Sequence, residues 1–306
     1  MTTLSRPGAT IVAAIISAVI VAVSGCSATN SPATSPSDTG NSAKGFTRTT
    51  STSTSTSICT TNEAKGECGP YRFPRTKSEP PQGIAGTSGD ITVGNNVWSE
   101  PHGNWSQILH VANPASWKVV ANFPAGETSV RSFPNTGQTQ DWINGTKLPA
   151  KLSTWSSILS SYSVKLNAHS GTVAEAAYDL WLDNWNDEVM IQTDFVGDRL
   201  RPRCDANGDV ITAQTFGGTN GVPVQKWNLC IFDREFIWQP ATGTNHPSDK
   251  VDVMAMLTWL QEHGNGKYLP AKPTLTALSF GFEICSTGGR NQTFEVNNFS
   301  FIATRA

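Results

Sequence analysis

Two glutamates of this chain sit in settings where a carboxylate can act on a substrate. Glu188 lies in Asn186-Asp187-Glu188-Val189-Met190-Ile191, and Glu283 in Ser279-Phe280-Gly281-Phe282-Glu283-Ile284-Cys285. Both segments read as strands, and a strand sends alternate side chains to opposite faces. Around Glu283 that puts Phe280, Phe282 and Ile284 on one face and Ala277, Ser279, Gly281 and Glu283 on the other. Bulk goes to a core, and the carboxylate stands on a face of small residues, as an open cleft needs. Glu188 shares its face with Met190 and Gln192, while Val189 and Ile191 point the other way. Two carboxylates on one concave sheet are the minimal machinery for cleaving a glycosidic bond.

The elements that must hold these residues are short apolar or alternating runs punctuated by Gly, Asn and Pro. They span 91–98, 105–112, 117–123, 129–133, 161–168, 176–182, 188–195, 210–216, 222–232, 274–284 and 293–301. Many short strands predict an all-β sandwich or barrel. One segment differs. Between Ser248 and His263, Val253, Met256, Leu257 and Leu260 recur at helical spacing with Gly264 behind them, so a single helix capped by Ser248 is expected, packed on the outside of a sheet.

The front of the chain reads as an export signal over residues 1–26. Arg6 precedes the apolar run Ile11–Val23, which is shorter than the roughly 20 residues a bilayer-spanning helix needs. It ends in Val23-Ser24-Gly25-Cys26, which resembles a bacterial lipobox in which Cys26 is lipidated; cleavage near Ala28 with free secretion is the alternative. Residues 27–57 are Ser, Thr, Pro, Asn and Gly with almost nothing apolar, so this stretch is expected to be a disordered tether. The rest, 58–306, is one domain by length.

In an exported protein the cysteines can bridge. Cys59 with Cys68 and Cys204 with Cys230 are the expected pairs, which leaves Cys285 odd, as an inert small residue lining the cleft. A formal net charge of −2 without any Lys/Arg-rich run excludes a nucleic-acid partner. His102, His110, His169, His246 and His263 show no metal-ligand spacing, so neither metal nor cofactor is expected. Gly217-Gly218-Thr219-Asn220-Gly221 is hairpin chemistry and not a phosphate loop. Ten Trp against four Tyr leans towards sugar binding, since indole faces serve as platforms for pyranose rings. Asp187, Asp194 and Glu295 read as solvated charges.

From 91 to 302 the chain resembles glycoside hydrolase family 12. The resemblance rests on Asn95-Asn96-Val97-Trp98, on Ala176-Ala177-Tyr178-Asp179-Leu180-Trp181-Leu182, on Glu188-Val189-Met190-Ile191, and on Gly281-Phe282-Glu283 followed by Phe294-Glu295-Val296-Asn297-Asn298-Phe299-Ser300. It implies a jelly roll of two curved antiparallel sheets whose concave face takes β-1,4-linked glucans and hydrolyses them with retention. By position, Glu188 would be the nucleophile, Glu283 the general acid/base kept protonated by the Glu188 anion, and Asp179 the acid that orients the nucleophile. Trp98 would stack under a sugar with Asn96 beside it, and Met190 would lie under the scissile sugar. Two departures fall near the carboxylates: Gln192 stands where the family has Trp, and Ile284-Cys285 where it has Pro and an aromatic. Loop 183–187 is also short. The expectation is a monomeric, tethered endo-acting β-1,4-glucanase for cellulose, mixed-linkage glucan or xyloglucan, touching a membrane only through its lipid. A glycan-binding lectin and an envelope adhesin or scaffold on the same sandwich are the alternatives.

Overall fold

A computed structural model describes residues 56–60, 71–72, 92–97, 104–113, 115–127, 129–139, 142–143, 146–167, 169–197, 209–241 and 243–306. Cys26, Cys68, Trp98, Cys204, the export segment and nearly all of the Ser/Thr-rich stretch lie outside the described residues, as does the side chain of Cys59.

The strands run in order β1 (Thr56–Thr60), β2 (Tyr71–Arg72), β3 (Thr92–Gly94), β4 (Ser106–Asn113), β5 (Ser116–Asn122), β6 (Asn135–Thr139), β7 (Trp142–Ile143), β8 (Thr146–Lys147) and β9 (Ala150–Lys151). There follow β10 (Trp155–Leu166), β11 (Thr172–Leu182), β12 (Asp187–Val196), β13 (Asp209–Phe216), β14 (Gln225–Phe232), β15 (Glu235–Pro240) and β16 (Ser248–Asp252). Helix α1 (Val253–Glu262), β17 (Thr274–Thr287) and β18 (Gln292–Arg305) complete the chain. Six strands form one sheet in the order β1-β4-β5-β18-β10-β16. The second sheet runs β13-β14-β15-β12-β11-β17-β6-β3-β2, with β9 paired to β17, and β7 and β8 make a separate hairpin.

Alternation builds the core between these sheets. Ala174, Ala176, Tyr178, Leu180 and Leu182 of β11 and Leu278, Phe280, Phe282 and Ile284 of β17 face inwards, and Phe294, Val296, Phe299, Phe301 and Ala303 of β18 meet them. Phe280 is the hub: its ring lies 4.7 Å from Tyr178, 5.3 Å from Tyr162 and 5.1 Å from Phe299. Each such aromatic pair adds about 0.5–1.5 kcal/mol beyond the area it buries. The buried Tyr178 hydroxyl donates to Ser160 Oγ at 2.8 Å, which in turn donates to the Ser300 carbonyl at 2.7 Å, so the two sheets are also joined by a satisfied polar link.

The helix carries the expected stripe, since Val253, Met256, Leu257 and Leu260 are its buried residues. Two details differ. Its cap is Asp252, whose Oδ1 accepts from the Ala255 N–H at 2.9 Å, while Ser248 opens strand β16. The stripe also joins the main core instead of lying on the outside of a sheet, with Trp259 edge-on to Trp238 of β15 at 5.4 Å. β15 itself is absent from the sequence reading. It pairs in parallel with β12, the one parallel pairing among the described strands, and brings a further glutamate level with Glu188. Among the described residues no helix is long and apolar enough to cross a membrane.

Cys285 is not the odd cysteine. Cys230 and Cys285 are both disulfide-bonded, and no described cysteine is free. They are not each other's partner. β14 and β17 stand four strand spacings apart, roughly 19 Å, against the ~7 Å limit between bridged Cα atoms.

Gly281 lies on the same face as Glu283, where the 134–135 backbone comes close. A Cβ there would stand 2.1 Å from the Pro134 carbonyl oxygen and 2.7 Å from Asn135 Cα, neither of which can swing away. Gly281→Ala should therefore part β17 from β6 and destabilise the fold by about 2–3 kcal/mol. Denaturant unfolding measures this, and a variant with an unchanged midpoint would refute it.

Candidate active site

Strands β17, β11, β12 and β15 are consecutive in the second sheet, and all four turn acids to one face. In the register, Glu175 of β11 stands opposite Glu283 and Asp179 opposite Ser279. On the other flank of β11, Trp181 stands opposite Glu188 and Asp179 opposite Met190. Glu188 is level with Glu235 of β15. Alternation holds across these pairs, so Glu175, Asp179, Glu188, Glu235 and Glu283 share the face turned away from the aromatic core. Glu188 and Glu283 are two strands apart, with Asp179 on the strand between them.

Their access differs. Glu188 and Asp179 are half-buried, whereas Glu175, Glu235 and Glu283 are only 1%, 5% and 9% exposed. Asp179 Oδ2 accepts from Trp181 Nε1 at 3.2 Å. Asp179 Oδ1, Glu235 Oε1 and Glu283 Oε2 are buried with no hydrogen-bond partner among the described residues. Buried acceptors are nearly always paired in folded proteins, and three orphans gathered on one face mark the place where the chain meets something else.

Among the described residues, the charges that act on the two central glutamates are negative. Burial first, then Asp179, Glu235 and Glu283, hold the Glu188 carboxyl well above its ordinary range. Glu283 is raised likewise, by burial first, then by the charges of Glu175, Asp179 and Glu235 and by a hydrogen bond with Glu175. Burial pushes Asp179 up to about 7 against the opposing Trp181 bond, and burial with the Asp179 charge pushes Glu235 up to about 7. The neighbour expected from sequence to keep Glu283 protonated was Glu188; Glu175 stands closer and does more. No group of three or more His, Cys, Asp or Glu with a metal-holding arrangement occurs among the described residues.

The other candidates fall variously. Met190 is buried beneath the acids with Ala177, Cys230 and Ile237. Gln192 is 3% exposed and does not line an open wall: its Nε2 donates to Glu175 Oε1 at 2.7 Å and its Oε1 accepts from Gln239 Nε2. Asn96 is exposed, with a φ of +39°, and its carbonyl accepts from the Phe133 N–H at 3.0 Å. Asp187 is fully buried and ion-paired with Arg234, and Asp194 is 6% exposed, so neither is a surface charge. Glu295 is half-buried and accepts from Asn167 Nδ2 at 3.4 Å. Reading the sequence missed Glu175 and Glu235. Parity with Asp179 along β11 was enough to find the first; the second needed the parallel pairing of β15.

Sharing a desolvated face has a cost in pH. Asp179 and Glu235 keep their protons up to about pH 7 in the folded chain, whereas the unfolded chain releases them near pH 4. Between those limits the folded state binds more protons, so the stability these groups contribute is full below about pH 4 and falls as pH rises towards 7. Thermal melts should show a lower Tm at pH 8 than at pH 5. Glu235→Gln should flatten that slope and gain on the order of 3 kcal/mol relative to the parent at pH 8. Identical pH slopes for the two proteins would count against this account.

No family model and no curated protein sequence matches this chain, but solved structures do. The family 12 xyloglucanase from Bacillus licheniformis in complex with ligand is similar at 18% identity over 77% of this chain and 97% of that one, with a TM-score of 0.56. The xyloglucanase domain of NopAA, a type three effector from Sinorhizobium fredii in complex with cellobiose, is similar at 19% identity, covering 70% of this chain and 94% of that one, with a TM-score of 0.54. The Trichoderma harzianum endoglucanase 3 from family GH12 is similar at 19% identity over 79% of this chain and 100% of that one, with a TM-score of 0.54. With two main sheets and one helix among its described residues, this chain has the jelly-roll fold of the family 12 glycoside hydrolases.

Proposed function

We propose that this chain is a retaining, endo-acting glycoside hydrolase that cleaves β-1,4-linked glucans by double displacement. The observation that carries the reading is the placement of Glu188 and Glu283 on one sheet face, with Asp179 between them, on this fold. Glu188, the more open of the two, attacks the anomeric carbon. Glu283 protonates the departing glycosidic oxygen as that bond breaks, which leaves a glycosyl ester on Glu188. Glu283, now a carboxylate, takes a proton from water, and the resulting attack on the anomeric carbon frees the sugar and regenerates Glu188. Retention requires the two carboxyls to meet the sugar at about 5–5.5 Å from one another. Asp179, which keeps its proton up to about pH 7, orients Glu188, while its own orientation comes from Trp181. The cellobiose bound by the Sinorhizobium fredii domain supports a glucan as substrate. The apolar run Ile11–Val23 and Cys26 behind it support a lipid-anchored, extracytoplasmic location.

An aromatic edge borders this face. Trp181 stands opposite Glu188, and the Trp185 ring lies 5.5 Å from it, 47% exposed. Trp185 sits in a turn where Asp183, Asn184 and Trp185 all have positive φ, at 48°, 59° and 70°. Non-glycine residues enter that region only at a cost. The turn is pinned from β17: Asn184 N–H donates to Thr276 Oγ1 at 2.9 Å, and Thr274 N–H donates to Asp183 Oδ1 at 2.9 Å. Strained backbone that holds an exposed indole beside the acids suits a platform for a pyranose ring.

Reducing-end release from soluble β-1,4-glucans tests the main reading. Glu188→Gln should lose at least about 100-fold in kcat, and proton NMR of early product should show the β anomer first. Early α product would replace retention by inversion, and binding without cleavage by either protein would favour the lectin. Trp185→Ala should raise KM by about three- to tenfold at little change in kcat, the worth of one ring contact. An unchanged KM would remove Trp185 from the groove.

A further inference from the structure

We infer that Glu235 is a substrate-binding residue, whose carboxyl takes a hydroxyl of the sugar that lies beside Glu188 on the β15 side of the groove. The identity of that ligand rests on the function proposed above.

Glu235 is the first residue of β15 and stands level with Glu188 on the adjacent parallel strand, one strand spacing of roughly 5 Å away. Its side chain is turned to the acid face and is 5% exposed. A carboxyl so far removed from water is ordinarily ion-paired or fully hydrogen-bonded. Asp187 shows that solution in the same part of the fold: it is fully buried and holds Arg234. Arg234 directly precedes Glu235 in the chain, so alternation sends it to the opposite face, where it also donates to the Lys267 carbonyl at 3.4 Å. Glu235 Oε1 is left with no partner among the described residues. Its apolar register neighbours cannot supply one. Phe232 stands opposite on β14, Ile237 follows on the same face of β15 with Met190 beside it, and none of the three side chains has a donor.

The missing donor is therefore brought by what fills the groove. Burial and the Asp179 charge keep this carboxyl neutral up to about pH 7, so it presents an acceptor and an O–H donor together. A sugar hydroxyl presents the same two functions, and each group satisfies the other. The surroundings suit a pyranose as well. Met190 and Ile237 pack with Ala177 and Cys230 into an apolar floor next to Glu235, against which the C–H face of a sugar ring can lie. Glu188 then has an indole on one flank, Trp181 of β11, and a hydroxyl-binding carboxyl on the other.

The test is a calorimetric titration of the full chain carrying Glu188→Gln, to suppress turnover, with cellohexaose at about pH 6. Adding Glu235→Leu should weaken binding about tenfold, the worth of one hydrogen bond to a buried group. Adding Glu235→Gln should keep the affinity within about threefold, since an amide retains both an acceptor and a donor. Each change removes a carboxyl that burial disfavours, so melts at pH 8 should place both variants at or above their parent. An affinity in Glu235→Leu equal to that of its parent would overturn the inference. A second measurement needs no Leu variant: in Glu188→Gln labelled with 13C-glutamate, the Glu235 carboxyl carbon, assigned through Glu235→Gln, should shift on adding cellohexaose. A carbon that does not move would overturn the inference equally. Hydrolysis by the parent alongside undiminished binding in Glu235→Leu removes Glu235 alone. Weakened binding in Glu235→Leu without hydrolysis by the parent keeps Glu235 in the groove and removes the hydrolase. Cellohexaose bound by none of these proteins removes both.

Discussion

The aromatic layer between the sheets is the constraint from which the site follows. Tyr178, Phe280 and Phe282 are fully buried, and Phe280 touches three other rings. A strand cannot bury these residues without sending Asp179, Ser279, Gly281 and Glu283 the other way, because a slip of one residue would exchange the whole set. The carboxyls are thus placed by side chains they never touch. The hydroxyl of Tyr178, satisfied by Ser160, fixes the layer further, since it fits only one depth in the core.

Against that placement stands electrostatics. Five acids on one face, three of them almost wholly removed from water, repel each other and favour their neutral forms. The chain tolerates this because the core behind the sheet is extensive, and because amide and indole donors from Gln192 and Trp181 answer two of the five. The repulsion is also the means by which chemically identical groups become different. Unequal burial and unequal neighbours set one carboxyl of the face apart from the next.

Much of this was legible in the sequence. The Phe280-Gly281-Phe282-Glu283 alternation, the helical stripe of Val253, Met256, Leu257 and Leu260, and the shared face of Glu188, Met190 and Gln192 all follow from local periodicity, and all are as read. What escaped depended on distant partners. Glu235 became visible only through a parallel pairing with a strand more than forty residues earlier. Cys285 looked odd because counting cysteines says nothing of which ones approach. Asp187 and Asp194 looked solvated because burial of an acid depends on what the rest of the fold brings over it, such as Arg234 for Asp187. Ser248 looked like a helix cap, but the true cap four residues later, Asp252, comes after a stretch that β10 recruits into a sheet. Gln192 was read as a lost wall, since one strand does not reveal that its amide lies between Glu175 and Gln239.

One strand governs when the architecture can exist. β5 and β10 do not pair with each other; among the described strands β18 alone joins them, and it follows all the others in sequence. Until it arrives, the six-stranded sheet is two separate fragments, and Phe294, Val296, Phe299 and Phe301 are missing from the layer that holds Tyr178 and Phe280. The acid-bearing sheet needs no strand from β18, but the sheet that must cover its aromatic side is continuous only once β18 is in place.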